Sequence, residues 1–165
     1  MTRQSVEEYK VKNGDAFRTN TYANVAAGDT LTLHISNVSD SVDAVITGVK
    51  ITCVGPYEIR KPINFDVSAG NSITVNNRLY ETGESRDTVM NAHSGSTYTN
   101  EETRFTEYHG KDDTQPGSAS NSYGESSDDP VGDIAPEGDF LVEVYNRSAD
   151  TAHDASITVE YYESR

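Results

Sequence analysis

The 165-residue chain carries 27 acidic residues against 13 basic ones, a formal charge of −14, and five of the basic residues are lysine: Lys10, Lys12, Lys50, Lys61 and Lys111. That length holds one domain with a real core, and an acidic, lysine-poor surface suits a solvent crowded with ions, where salt screens self-repulsion. The same balance disfavours a nucleic-acid partner, since no Lys/Arg cluster is present to neutralise phosphates, and one cysteine, Cys53, excludes an intrachain disulfide or a cysteine-based zinc site.

The opening "MTRQSVEEYK" lacks an apolar signal core, and no stretch approaches the length of a membrane span, so no membrane partner is expected. Residues 1–14 read as an N-terminal arm or edge strand, able to dock by adding to another sheet. From there the pattern alternates with period two and no amphipathic helix emerges. "FRTNTY" is followed by "TLTLHISN", which sets Leu31, Leu33 and Ile35 on one face and Thr30, Thr32, His34 and Ser36 on the other. "VITGVKITCV" is β-branched and rich in apolar residues, as for a strand covered on both faces; Cys53 within it reads as a buried, inert thiol. "YEIRKPINFDV" follows the turn signal Gly55-Pro56, and Pro62 marks an edge or a bulge because it has no N–H to donate. "AGNSITVNNRLY", "DFLVEVYN" and "ASITVEYYE" complete seven to nine short strands. Their number and spacing predict an all-β fold, a single antiparallel β-sandwich or jelly roll with a long polar excursion.

Two stretches repeat a phrase: "AAGDTLTLHISNVS" at 26–39 and "PEGDFLVEVYNRS" at 136–148. Gly28, Gly70 and Gly138 each precede an alternating run, where the chain turns into a strand and a positive φ is often needed. Asn37 and Asn146 close the matching strands. Shared strand punctuation accounts for the likeness more readily than internal duplication.

Composition changes in the middle. Residues 15–80 and 134–165 read as the sandwich core, and 81–133 as a polar acidic insertion in which twelve acidic residues oppose Arg86, Arg104 and Lys111. Such a segment cannot bury enough apolar area to offset its own ordering entropy. "TRFTEYHG" alternates like one more strand, which predicts either a protruding hairpin or a plain solvated loop. Tyr98, Tyr108 and Tyr123 are the excursion's amphipathic candidates for contact with a partner, or else anchors that hold a loop down.

Catalytic chemistry finds no footing. His34, His93, His109 and His153 lack the spacing of a metal site, and His34 falls on the polar face of its strand. "AHSGS" around Ser94 and Ser96 lacks the strand–turn–helix setting of a nucleophile elbow. Asp112-Asp113 and Asp128-Asp129 are weak candidates for a structural divalent cation, with spacing unlike an EF-hand; no other cofactor is expected. Asn37-Val-Ser39 and Asn146-Arg-Ser148 fit the N-glycosylation pattern, but read better as strand-end turns.

Taken whole, "VAAGDTLTLHISNVS" and "IAPEGDFLVEVYNRSADTAHDASITVEYYE", flanking a central apolar strand pair and an irregular middle, resemble small virion proteins of tailed viruses. In that setting the second phrase resembles the penultimate strand of jelly-roll modules that decorate capsids or sit on tails. The acidic composition points to viruses of halophilic archaea. The resemblance implies a non-enzymatic capsid decoration or turret subunit, assembled in the host cytoplasm, homo-oligomeric and docked on the major capsid protein or a neighbouring virion protein. It carries no site residues with it. A tail, baseplate or receptor-binding component, or a carbohydrate-binding module, uses the same architecture.

Overall fold

A computed structural model of the chain describes residues 13–78, 86–109, 118–123 and 132–165, with 118–123 described as backbone alone. Among these residues there is no helix, and none therefore that is long and apolar enough to cross a membrane. The strands, in chain order, are β1 (Ala16–Val25), β2 (Thr30–Asn37), β3 (Ala44–Val54), β4 (Tyr57–Ile63), β5 (Asp66–Ser68), β6 (Asn71–Ile73), β7 (Val75–Asn77), β8 (Met90–Ser94), β9 (Thr97–Thr99), β10 (Thr103–His109), β11 (Ser118–Tyr123), β12 (Gly132–Ile134), β13 (Asp139–Asn146) and β14 (His153–Glu163). The chain is an all-β sandwich. Its five three-residue strands raise the count above the seven to nine expected; the strands of five residues or more number nine.

Two antiparallel sheets face each other. The first runs β11-β3-β14-β1-β7, with β12 sharing the outer edge of β3, and the second runs β10-β4-β13-β2-β8-β6. Alternation decides what lies between them. Leu31, Leu33 and Ile35 of β2 and Phe140, Val142 and Val144 of β13 meet Phe17, Ile46, Val49, Ile51, Ile157, Val159 and Tyr161 of the first sheet in one buried cluster. Phe17 and Tyr161 stack there with ring centres 5.5 Å apart.

The near-continuous apolar run of β3 has a different cause from the one expected. Its outer side is not covered, since Lys50 and Val54 are exposed. The pairing with β14 instead shifts register between Glu160 and Tyr161, so that Gly48 faces Glu160 and Ile46 faces Tyr161, with Thr47 the extra residue. Such a bulge flips the phase of alternation, and Ile46 and Val49 both face inward. Pro62 lies beyond the last pair joining β4 to β13, Glu143 with Arg60, so its missing N–H removes no rung from that ladder.

The expected insertion is not one excursion. Met90–Ser94 pairs with β2 inside the second sheet, and Met90 and Ala92 are core residues. Thr103–His109 forms the opposite edge of that sheet on β4, and Gly132–Ile134 pairs with β3. The stretch reads as polar because each of these short strands contributes few inward side chains among many outward ones.

The repeated phrase proves to be more than punctuation. β1-turn-β2-turn-β3 and β12-turn-β13-turn-β14 exchange places without changing the pairing: β1 lies on β14 as β12 lies on β3, while β2 and β13 lie on each other. Leu33 pairs with Val142, its own counterpart. Asn37 and Asn146 are both buried and do the same work. Each side-chain amide donates to a carbonyl five residues on (Val42, 2.7 Å; Thr151, 2.8 Å), and each side-chain oxygen accepts from the N–H two residues on (Ser39, 3.0 Å; Ser148, 2.9 Å). With their amides so used, neither is available as a glycan acceptor in the folded chain.

The turns correspond one residue out of step with the sequence match. Asp29 N–H donates to Ala26 C=O and Gly138 N–H to Ala135 C=O, placing Gly28 (φ 73°) and Glu137 (φ 57°) at equivalent positions. Gly28 thus has the expected left-handed backbone, whereas at the second turn Glu137 has it and Gly138 does not. Gly70 is needed for a different reason: a Cβ there would lie 2.1 Å from the Ser94 carbonyl oxygen.

Candidate functional site

The register that sends Leu33 and Val142 inward sends another set of residues to the outer face of the second sheet. These are Tyr108 and Arg104 on β10, Glu58 and Arg60 on β4, Leu141, Glu143 and Tyr145 on β13, Thr32 and His34 on β2, and His93 on β8. This face has a covered half and an open half.

The cover is a ribbon of β5 paired with β9, joined to the sheet by side chains. Tyr98 donates its hydroxyl to Glu143 Oε2 at 3.0 Å, and Phe65 meets the Tyr98 ring edge-on at 5.8 Å. Beneath it Thr32, Leu141 and Glu143 are buried. Burial raises the Glu143 carboxyl above its ordinary range, against the pull of the Tyr98 hydrogen bond and of Arg60 and Arg104. Burial likewise raises the Tyr98 phenol, and Arg104 is held in its charged form by its hydrogen bond with Tyr98.

His34 is 1% exposed, which corrects the expectation of a surface histidine. Its Nε2 lies 2.7 Å from Asp139 Oδ1 and its Nδ1 3.2 Å from Ser96 Oγ. The carboxylate can only accept, so in the neutral ring Nε2 carries the proton and Nδ1 accepts from the serine hydroxyl. Ser96 Oγ in turn accepts the Gly70 N–H at 3.0 Å. These residue types suggest an acyl-transfer triad, but the polarity is reversed. The serine is 3% exposed under the ribbon, while the aspartate side chain is 29% exposed at the open end. A nucleophile must reach substrate and its base must be oriented from behind; here the aspartate faces solvent. The chain of bonds is a clasp that ties the ribbon to β2 and β13. His93 stacks on His34 with ring centres 5.3 Å apart, and desolvation, then the neighbouring His34, lower its pKa.

The half toward β10 is open at Tyr108, Arg104 and Arg147 and partly open at Arg60 and Glu58, whose side chains are 19% and 14% exposed. Tyr108, Glu58 and Tyr145 stand in register on β10, β4 and β13. The Arg60 guanidinium sits 4.0 Å over the Tyr145 ring and its Nε donates to Glu58 Oε2 at 2.7 Å. The Arg147 guanidinium, just past the end of β13, lies 5.0 Å over the Tyr108 ring.

Of the tyrosines expected as contact residues, Tyr98 and Tyr108 therefore share one face with opposite roles: Tyr98 pins the ribbon and Tyr108 is open. Tyr123 ends β11, and its side chain lies outside the described residues. Asp112, Asp113, Asp128 and Asp129 also lie outside them; among the described residues no group of three or more His, Cys, Asp and Glu is placed to hold a metal. His109 stacks on Tyr57 at 5.1 Å and His153 Nε2 lies 2.7 Å from Ser148 Oγ. Ser94 faces Leu33 across the ladder, and Cys53 is buried with its thiol pushed up to about 11, an unreactive form. Sequence reasoning missed Glu143, Arg60, Tyr145 and Arg147. Leu141, Glu143 and Tyr145 are the alternate residues of "DFLVEVYN", so reading both faces of that strand finds two of the four, Glu143 and Tyr145.

No protein-family model and no curated protein sequence matches the chain.

Proposed function

We propose that the protein is a non-catalytic structural subunit of a virion, of the capsid decoration or turret type, which docks on the major capsid protein or a neighbouring virion protein and associates with its own copies. The observation that carries the reading is the β10 edge. Among the described residues β10 has β4 on one side and no strand on the other, and it exposes Phe105 (59%) and Tyr108 (66%). An open edge bearing aromatic side chains is an invitation to pair with another chain, which assembly proteins use and free-standing monomers blunt. Among the described residues the Ser96–His34–Asp139 cluster holds a ribbon in place rather than presenting its serine to a substrate, which supports the non-catalytic part. The −14 charge supports a role in concentrated salt, where copies of so acidic a subunit can approach one another.

The test is the mass of the purified protein by light scattering at about 2 M and about 0.1 M salt, a contrast set by the change in Debye length, followed by co-sedimentation with particles. The reading expects a discrete oligomer at high salt that loosens at low salt. It also expects Phe105→Asp to reduce both association and particle binding while leaving the melting temperature in place. A monomer at both salts that ignores particles would remove it.

A further inference from the structure

The open half of the outer face carries a second inference, which stands whether or not the subunit docks on a particle. In this chain carboxylates outnumber cations two to one, and the described arginines are spoken for accordingly. Arg18 and Arg78 meet Glu160, Arg60 meets Glu58, Arg86 meets Asp15 and Arg165 meets Glu163, while Arg104 is held by the Tyr98 hydroxyl. Arg147 is the exception. It is exposed, it faces no carboxylate among the described residues, and it lies instead over the face of Tyr108. An exposed guanidinium that faces no anion among the described residues, in a molecule of charge −14, offers an anion position held by an aromatic ring.

What surrounds it narrows the ligand. Tyr108, Glu58 and Tyr145 form one row across three strands. Strands lie about 4.8 Å apart, so the two tyrosines stand roughly 10 Å from each other, about the reach of a disaccharide. Tyrosine rings offer an apolar face to the C–H side of a sugar and a hydroxyl to its rim. Glu58 is fixed by Arg60 Nε between them, an acceptor for sugar hydroxyls. A guanidinium adds two parallel donors that match a carboxylate. All of these groups except Arg147 sit on paired strands, which keeps the row rigid.

We propose that this row binds an acidic sugar, a hexuronate unit within an oligosaccharide chain, with its carboxylate on Arg147 and its ring against Tyr108, and with Tyr145 and Glu58 meeting the next unit.

The experiment titrates the full chain with tetragalacturonate and, separately, with its methyl ester, which keeps the sugar shape and removes the charge. It is followed by calorimetry in molar potassium chloride, so that the long-range repulsion between two polyanions is screened. Saturable binding of the acid form is expected, at least tenfold weaker for the ester. Arg147→Gln should bring the acid form down to the ester's affinity, Tyr108→Ala should abolish both, and Tyr108→Phe should keep most of the affinity. Arg147 and Tyr108 are exposed, so the melting temperatures of these variants should match the parent's and separate lost binding from lost fold. Equal affinity for acid and ester, no binding at millimolar sugar, or undiminished binding by Arg147→Gln would each overturn the proposal.

Discussion

The two three-strand units, β1–β3 and β12–β14, are built alike on the inside and differently on the outside. Position by position, Leu31, Leu33, Ile35 and Asn37 of the first answer Phe140, Val142, Val144 and Asn146 of the second, and all eight are buried. The outward set Thr30, Thr32, His34 and Ser36 answers Asp139, Leu141, Glu143 and Tyr145 and shares nothing with it. Packing against the opposite sheet and the hydrogen-bonding demands of a buried strand end fix the first set. The outer face has no such common constraint, and there each unit carries its own chemistry: a histidine clasp in one, a carboxylate and a tyrosine in the other.

Breaking the shared part should have the largest effect. Asn146 donates to the Val25 and Thr151 carbonyls, and Asn37 to those of Ala135 and Val42. Alanine at either position strands buried carbonyls and one N–H. At about 1–3 kcal/mol per unsatisfied group, partly relieved by water, each substitution should cost roughly 2–4 kcal/mol. Denaturant unfolding of Asn37→Ala and Asn146→Ala measures it. Losses equal within about 1 kcal/mol are expected if the units are equivalent, a margin close to that of a single hydrogen bond; a several-fold difference would mean that the likeness is only of outline.

The turns sharpen the comparison, because here equivalent positions hold different residues. Gly28 and Glu137 both have a left-handed backbone, at φ 73° and 57°, a conformation that costs an L-residue about 1–2 kcal/mol and glycine almost nothing. Gly28→Ala should therefore destabilise by about 1 kcal/mol, with no steric part, since its Cβ would meet Tyr145 Oη at an ordinary 3.8 Å. Glu137→Gly should do the opposite and raise the melting temperature. If both substitutions shift stability in the same direction, the one-residue offset between sequence match and structural match is misplaced.

That offset shows what was legible in the sequence and what was not. Alternation placed Leu31, Leu33 and Ile35 correctly on the core side, and the Gly-polar opener correctly marked turns. The spacing of "GD" in the two phrases could not say which residue bends, because that depends on where the preceding strand ends: Val25 in one unit, Ile134 in the other. Alternation puts His34 on the right face and in the wrong environment. It is held by Asp139 and Ser96 and stacked on His93, partners far from it in the chain that no period in the sequence points to. Tyr108 stands out in the sequence as an aromatic in polar company, whereas nothing there marks Arg147, since only the fold brings it over that ring.

The smallest expected effect tests the outer difference through pH. His93, next to the clasp of the first unit, has its pKa lowered from the ordinary 6.5 by desolvation and by His34. The folded state then binds fewer protons than the unfolded one, so stability is full above about 6.5 and falls as pH drops through the lowered value. Glu143 of the second unit is the reverse case. Burial raises its pKa above the ordinary 4.5, the folded state binds more protons, and stability falls as pH rises through the raised value. The His93 loss sets in as pH falls below 6.5 and the Glu143 loss as pH rises above 4.5, so the two limbs descend toward each other and leave a shallow minimum between those values. His93→Gln should flatten the limb that falls from neutral pH and Glu143→Gln the limb that falls from acid pH, each leaving the other unchanged, as melting temperatures from pH 4 to 8 would record. Were His93→Gln to move the Glu143 limb as well, the two groups would belong to one coupled network rather than to two separate chemistries on a shared scaffold.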